Sequence, residues 1–206
     1  MPRVLEKRER SLGERLFLKG DRCAGVKCVM VRRNYAPGAH GKRKRRASSE
    51  FSTLLREKQK VRFSYGIDDA AVRRYSNEAA FKKGVFSSNF WKMLESRLDN
   101  VVFRLGFSVS RRSAQQAITH GHIVVNGKAV TIPSYRVRPG DEVSLKERAF
   151  GLGLFADLEN RLNKQQVPQW LELDPAKKIG KVIREPETET LETMFDATKI
   201  KEFYSR

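Results

Sequence analysis

Ser-Arg-Leu-Asp-Asn-Val-Val-Phe-Arg-Leu-Gly-Phe (96–107), Ser-Arg-Arg-Ser-Ala-Gln-Gln-Ala-Ile-Thr-His-Gly (110–121) and His-Ile-Val-Val-Asn-Gly-Lys-Ala-Val (122–130) follow one another almost without a break. Their apolar period changes from helical to alternating after Gly121, so two basic helices lead into a hairpin. The first helix is predicted over residues 88–105. Trp91, Leu94, Leu98, Val101, Val102 and Leu105 form its apolar stripe, and Gly106 closes it. Arg97 and Arg104 fall on a common face away from that stripe. The second helix is capped by Ser110. Arg111, Arg112, Gln115, Gln116 and Thr119 then lie within an arc of about 140° at helical spacing, with Ala114, Ala117 and Ile118 opposite. Guanidinium forks, amides and a hydroxyl on one short face suit phosphates, ribose hydroxyls and base edges. A polar solvent face is the bland alternative.

Asn126-Gly127 predicts a type I′ turn, because both central residues must take positive φ. Residues 134–138 and 142–145 are read as two further strands around Pro139-Gly140. Val124, Ala129, Ile132, Val137 and Val143 are expected inside. Nothing in this stretch could do chemistry.

Outward from this module, the 206-residue chain carries 42 basic and 24 acidic side chains, a formal net charge of +18. A polyanion is the default partner of such a surplus, because each neutralised phosphate releases condensed counterions. The surplus is uneven. Residues 1–95 hold 24 basic and 10 acidic side chains, 96–148 hold 9 and 4, and 149–206 hold 9 and 10. The last segment is electrostatically neutral and better suited to protein contact.

Residues 1–47 read as a basic, mostly irregular extension ending in Arg43, Lys44, Arg45 and Arg46, a run of cations that orders best against phosphates. A helix capped by Ser48 or Ser49 should reach Tyr65, with Phe51, Leu54, Leu55 and Val61 inward and Arg56, Lys58, Lys60 and Arg62 exposed. A second should start at Asp68 and stop by Gly84, showing Arg73 and Arg74, with Ala71, Val72, Tyr75 and Ala79 inward. Residues 155–162 read as helical, and 170–173 and 181–184 as strands. The acidic stretch beginning at Glu185 reads as an exposed loop. The fold class is α+β: a helical domain from residues 48–95 and 149–206, with a small module of two helices and an antiparallel sheet inserted at 96–148.

Only Cys23 and Cys28 occur, so no disulfide framework is expected. No apolar run is long enough to cross a bilayer, and the N-terminus has no apolar signal core. The expectation is a soluble, cytoplasmic protein with no membrane contact.

The module motifs quoted above, with Pro-Ser-Tyr-Arg-Val-Arg-Pro-Gly-Asp (133–141), resemble the S4 RNA-binding module, which also occurs in pseudouridine synthases, some tRNA synthetases and a heat-shock RNA binder. Leu-Phe-Leu-Lys-Gly (16–20), Pro-Gly-Ala-His-Gly (37–41), Leu-Arg-Glu-Lys-Gln-Lys (55–60), Tyr-Gly-Ile (65–67) and the ending Glu-Phe-Tyr-Ser-Arg extend the resemblance to the bacterial ribosomal protein S4 family over essentially the whole chain. In that family the C-terminal segment returns to the helical domain.

The resemblance implies a structural component of the small ribosomal subunit. It implies a primary binder of small-subunit ribosomal RNA that nucleates 5′-domain assembly, contacts ribosomal protein S5 and contributes to translational accuracy. Arg43, Lys44 and Arg46 match cations that line the mRNA entry channel in the family. Arg136, Arg138, His120 and His122 complete the candidate RNA-binding set, the histidines as RNA-facing or capping groups. Zinc-bearing members carry Cys-x2-Cys before Cys-x4-Cys. Here Glu6 and Glu9 stand at the first pair, so Cys23 and Cys28 are a half-site, and no zinc or other cofactor is expected.

The alternative is an RNA-modifying or stress-related RNA-binding protein using the same module. An enzyme would need a catalytic domain with a buried nucleophile or base. Residues 149–206 are too few for one, and the three histidines show no triad arrangement. A DNA-binding regulator would need a dimerisation element that the chain does not show.

Overall fold

A computed structural model describes residues 2–43, 49–186 and 195–205. The chain divides into two compact units, residues 1–90 with 190–206, and residues 91–189.

In the first unit, α1 (Pro2–Leu12) is followed by the short helices α2 (Asp21–Ala24) and α3 (Val29–Arg32). The region expected to be mostly irregular therefore carries three helices, with residues 13–20, 25–28 and 33–43 outside regular structure. Its glycines set the turns between helices: Gly13 and Gly20 both take positive φ. Glu9, 2% exposed, also explains the order of this region. Its carboxylate accepts the backbone N–H groups of Leu16 (3.1 Å) and Leu18 (3.2 Å), which fastens the loop back onto α1.

The helix α4 (Glu50–Tyr65) is capped by the Ser49 hydroxyl, which accepts the Ser52 N–H, and it stops at Gly66 in the left-handed conformation. The helix α5 (Asp69–Phe81) is capped by Asp68. Leu54, Val61, Tyr65, Val72, Tyr75 and Ala79 are buried, whereas Phe51 is exposed and meets Phe203 as a tilted ring pair, 5.7 Å between ring centroids. The helix α10 (Ala197–Ser205, following the elements given below) returns onto α4 and α5.

In the second unit, the predicted continuous helix is two: α6 (Phe86–Glu95), whose last residues begin this unit, and α7 (Leu98–Arg104). Ser96 and Arg97 break the spiral because they pair with the chain at 136–137. Val137 N–H donates to Ser96 O (2.9 Å), Leu98 N–H donates to Tyr135 O (2.8 Å), and Arg97 and Arg136 form an isolated antiparallel bridge. The expected strand at 134–138 is reduced to that bridge.

The helix α8 (Arg111–Thr119) follows with its Ser110 cap, then β1 (Ile123–Val125), β2 (Lys128–Ala129) and β3 (Glu142–Leu145). Asn126 and Gly127 have φ of 49° and 76°, as a type I′ hairpin requires. After two 3₁₀ turns come α9 (Leu158–Lys164), β4 (Leu171–Asp174) and β5 (Ile179–Val182).

The sheet is five-stranded and antiparallel, in the order β2-β1-β3-β5-β4. Strands β4 and β5 thus extend the module's own sheet, and residues 149–186 belong to this unit. The sheet's inner face carries Ile123, Val125, Val143 and Leu145, which pack with Leu98, Val101, Val102, Leu105, Ala114, Ala117 and Ile118. The expected burial of Val124, Ala129 and Ile132 is corrected. Val124 is half-buried, and Ala129 and Ile132 are exposed, because alternation alone leaves the choice of face open. The acidic stretch after Pro186 lies outside the described residues.

Candidate nucleic-acid interface

The helix α8 presents the clearest face. Ala114, Ala117 and Ile118 are wholly buried. Arg112, Gln116 and Thr119 are exposed on the other side, and the exposed His120 ends the helix. Arg112, Gln116 and His120 form a line of donors along two turns, and Thr119, whose hydroxyl donates to Gln115 O at 2.8 Å, offers an acceptor among them.

Arg111 and Gln115 do something different. The Arg111 Nε donates to Asn100 Oδ1 at 2.8 Å while its guanidinium lies 4.8 Å over the Phe103 ring. The Gln115 Nε2 donates to Asp99 Oδ2 at 2.8 Å. Both side chains bolt α8 onto α7.

The bolts enter a buried polar network. Arg97 is 4% exposed and pairs in bidentate fashion with Asp99, Nε to Oδ1 at 3.0 Å and Nη2 to Oδ2 at 2.7 Å. Asp99 Oδ1 also accepts the Asn100 N–H. The Asn100 amide donates to Glu95 O (3.0 Å) and Oε2 (2.8 Å), and Glu95 holds Arg104 at 3.1 Å. Such groups are tolerated in a core only when their polar atoms are matched. The expected exposed face carrying Arg97 and Arg104 is therefore corrected. Because the helix breaks at Ser96-Arg97, the phase resets and Arg97 turns inward. Arg104 stays partly exposed.

Beside the end of α8, the rings of His120 and His122 lie 5.9 Å apart, and His122 meets Phe155 edge to face at 6.2 Å. Burial first, then the nearby His120, Arg148 and Lys146, pushes the His122 imidazole below its usual range. Lys146 and Arg148 therefore stand with the histidine pair. No periodic signal singled them out, because they sit on the irregular chain just after β3. Arg136 and Arg138 are exposed. The Arg138 N–H donates to Asp141 Oδ2, closing the Pro139-Gly140 turn.

In the helical unit, Lys58 and Lys60 are buried, against the expectation of an exposed basic side. The Lys58 ammonium pairs with Asp69 at 2.7 Å and lies 4.3 Å over the Phe203 ring of α10. Lys60 sits at 2.6 Å from both Glu14 and Glu57. Burial lowers the Lys60 pKa, but the two carboxylates outweigh it and the net shift is upward. The helix α4 is covered on more than one side, which a single-helix period does not reveal. Arg56 and Arg62 are half-buried, with Arg62 donating to Gln59 (3.3 Å), and Arg73 and Arg74 are exposed. Arg43 is exposed, while Lys44, Arg45 and Arg46 lie outside the described residues.

Cys23 and Cys28 are buried beside Met30. Burial, reinforced by Glu9 and Cys28, pushes the Cys23 thiol up. Glu9 is committed to two backbone amides and Glu6 to Lys19 at 2.7 Å. The donor set does not fit a closed structural zinc site. Among the described residues no group of three or more His, Cys, Asp or Glu is placed to hold a metal ion. Among the same residues no helix is long and apolar enough to cross a membrane.

Comparison with known proteins finds two family matches along the chain. Residues 96–143 match the S4 domain family, and residues 5–95 match the family described as ribosomal protein S4/S9 N-terminal domain. The small ribosomal subunit protein uS4 of Thermus thermophilus is 48% identical over 94% of this chain and 93% of its own length. Its counterparts in Natranaerobius thermophilus and Acetivibrio thermocellus are each 45% identical over the same shares.

Proposed function

From the premise that the chain belongs to the ribosomal protein S4 family, whose members are structural and not enzymatic, we propose that it is a cytoplasmic component of the small ribosomal subunit that binds small-subunit ribosomal RNA directly. The observation that carries this is the exposed row Arg112, Gln116, Thr119 and His120 on a helix pinned from behind by Asp99 and Asn100. A rigidly held donor face binds with little ordering penalty. Guanidinium, amide and imidazole donors contact backbone phosphates and ribose, so the readout is chiefly of RNA shape.

In this reading the protein is a primary binder that nucleates 5′-domain assembly. The cations beginning at Arg43 line the path of mRNA entry, and contact with ribosomal protein S5 contributes to translational accuracy. Cys23 and Cys28 serve as small apolar packing groups with no metal, in line with the commitments of Glu6 and Glu9.

Hydroxyl-radical footprinting of the full-length protein on naked small-subunit ribosomal RNA tests the central claim. A compact protected region in the 5′ domain, formed without other proteins, is the expected result. Protection appearing only after other ribosomal proteins are added would remove the primary-binder role.

A further inference from the structure

The three helices of the amino-terminal region surround a cleft of about 430 Å³. Lys7 and Arg10 line it from α1, Arg22 from α2, and Arg32 and Arg33 from the end of α3. Among the described residues Glu6 is the single carboxylate of the lining, and it already holds Lys19 at 2.7 Å and Arg22 at 3.6 Å.

Arg10 is fixed from behind. Its Nε donates to Tyr35 O at 2.9 Å and its Nη2 to Ala36 O at 3.2 Å, with the guanidinium 4.7 Å over the Tyr35 ring. Lys7, Arg32 and Arg33 are exposed, and among the described residues none of them is paired with a carboxylate. The cleft thus has an anchored cationic floor and an adaptable cationic rim.

Its ligand class follows from what is present. Like charges gathered around one cavity repel until an anion enters. Guanidinium forks match phosphate oxygens in pairs. Among the described residues no aromatic ring lines the cleft, so a nucleobase would find no stacking face there.

We propose that this cleft is a phosphate-binding site that grips the RNA backbone, independent in its residues from the donor row of α8. Only the source of the phosphates rests on the RNA-binding reading above.

The test uses full-length protein in two arms. One measures affinity for naked small-subunit ribosomal RNA across a salt series, and the other follows backbone amides of residues 29–33 by NMR as inorganic pyrophosphate is added. The variant Arg32→Gln with Arg33→Gln is compared with Arg15→Gln with Lys27→Gln, which removes the same charge from exposed residues outside the cleft. The cleft pair is expected to weaken RNA binding about tenfold at moderate salt and to flatten the logarithmic salt slope by about 1 to 2. The outside pair should change both much less.

Equal effects of the two pairs, or none from the cleft pair, together with amides that ignore pyrophosphate, would overturn the site. A pyrophosphate response in a wild-type protein that does not bind the RNA would keep the phosphate site and discard the ribosomal source. Wild-type RNA binding with neither cleft effect would discard the site alone.

Discussion

Arg97 and Arg112 show how differently one residue type is used within a short stretch. Arg97 and Asp99 are both buried and hold each other in two hydrogen bonds. Arg97→Ala would leave the Asp99 carboxylate buried without its main partner, and a loss of about 3–5 kcal/mol of stability is expected in urea unfolding. A loss below about 1 kcal/mol, the range typical of an exposed pair, would contradict the burial. Arg112 projects into solvent. Arg112→Glu should lower RNA affinity by about 1–3 kcal/mol at fixed salt while the melting temperature stays put. The corresponding Arg111→Glu change should lower both, because it also breaks the bond to Asn100.

His122 supplies a pH-dependent readout at the same scale. Burial and neighbouring cations hold its pKa below 6.5, so the folded protein disfavours the imidazolium. The unfolded chain then binds more protons, and the His122 contribution to stability is present above 6.5 and lost as pH falls through that value towards the folded pKa. A phosphate beside the ring acts in the opposite direction. NMR titration should find the His122 midpoint below 6.5 in the free protein and higher in the RNA complex. A midpoint that does not move on binding would place His122 outside the interface.

Among the elements, β5 sets how closely helix and sheet can approach. A Cβ at Gly180 would overlap the Leu105 side chain, and Gly180 pairs with Val143 in the centre of the sheet. Neither side has slack. Gly180→Ala is expected to destabilise the module by about 1–3 kcal/mol through overpacking, measured as a shift in the denaturant midpoint. An unchanged midpoint would show that Leu105 can repack. The helix α8 shows the reverse economy: its short buried face of two alanines and an isoleucine is supplemented by the Arg111 and Gln115 bonds, so part of its polar surface positions the rest.

Across the whole molecule the decisive quantity is the excess of 42 basic over 24 acidic side chains. Not all of it is available to RNA. Lys58, Lys60 and Arg97 are spent on internal carboxylates, while Arg73, Arg74, Arg112, Arg136 and Arg138 face solvent. If six or more phosphates are neutralised, affinity should fall by about 10³-fold or more between 50 and 200 mM salt. A flat salt response would exclude phosphate-dominated binding. Elemental analysis of the purified protein provides a second global check. Well below one zinc per chain is expected, and stoichiometric zinc would show that Cys23 and Cys28 recruit further ligands.

The order of elements in the module was readable from residues alone, because caps, turn glycines and the change of apolar period are local signals. Ser110, Asn126-Gly127 and Asp68 each do what their chemistry requires of the backbone beside them. The net charge, and with it a polyanionic partner, was equally legible. Tertiary structure alone decided which cations are free to meet that partner. The break at Ser96-Arg97 depends on pairing with residues some forty positions away, and the burial of Lys58 depends on a helix at the end of the chain. The cleft among α1, α2 and α3 draws its cations from three separate helices that only the folded chain brings together. Local chemistry shapes each segment, but whether a charged side chain faces water or a carboxylate is settled by what packs against it. Sequence spacing within one helix carries no record of that neighbour.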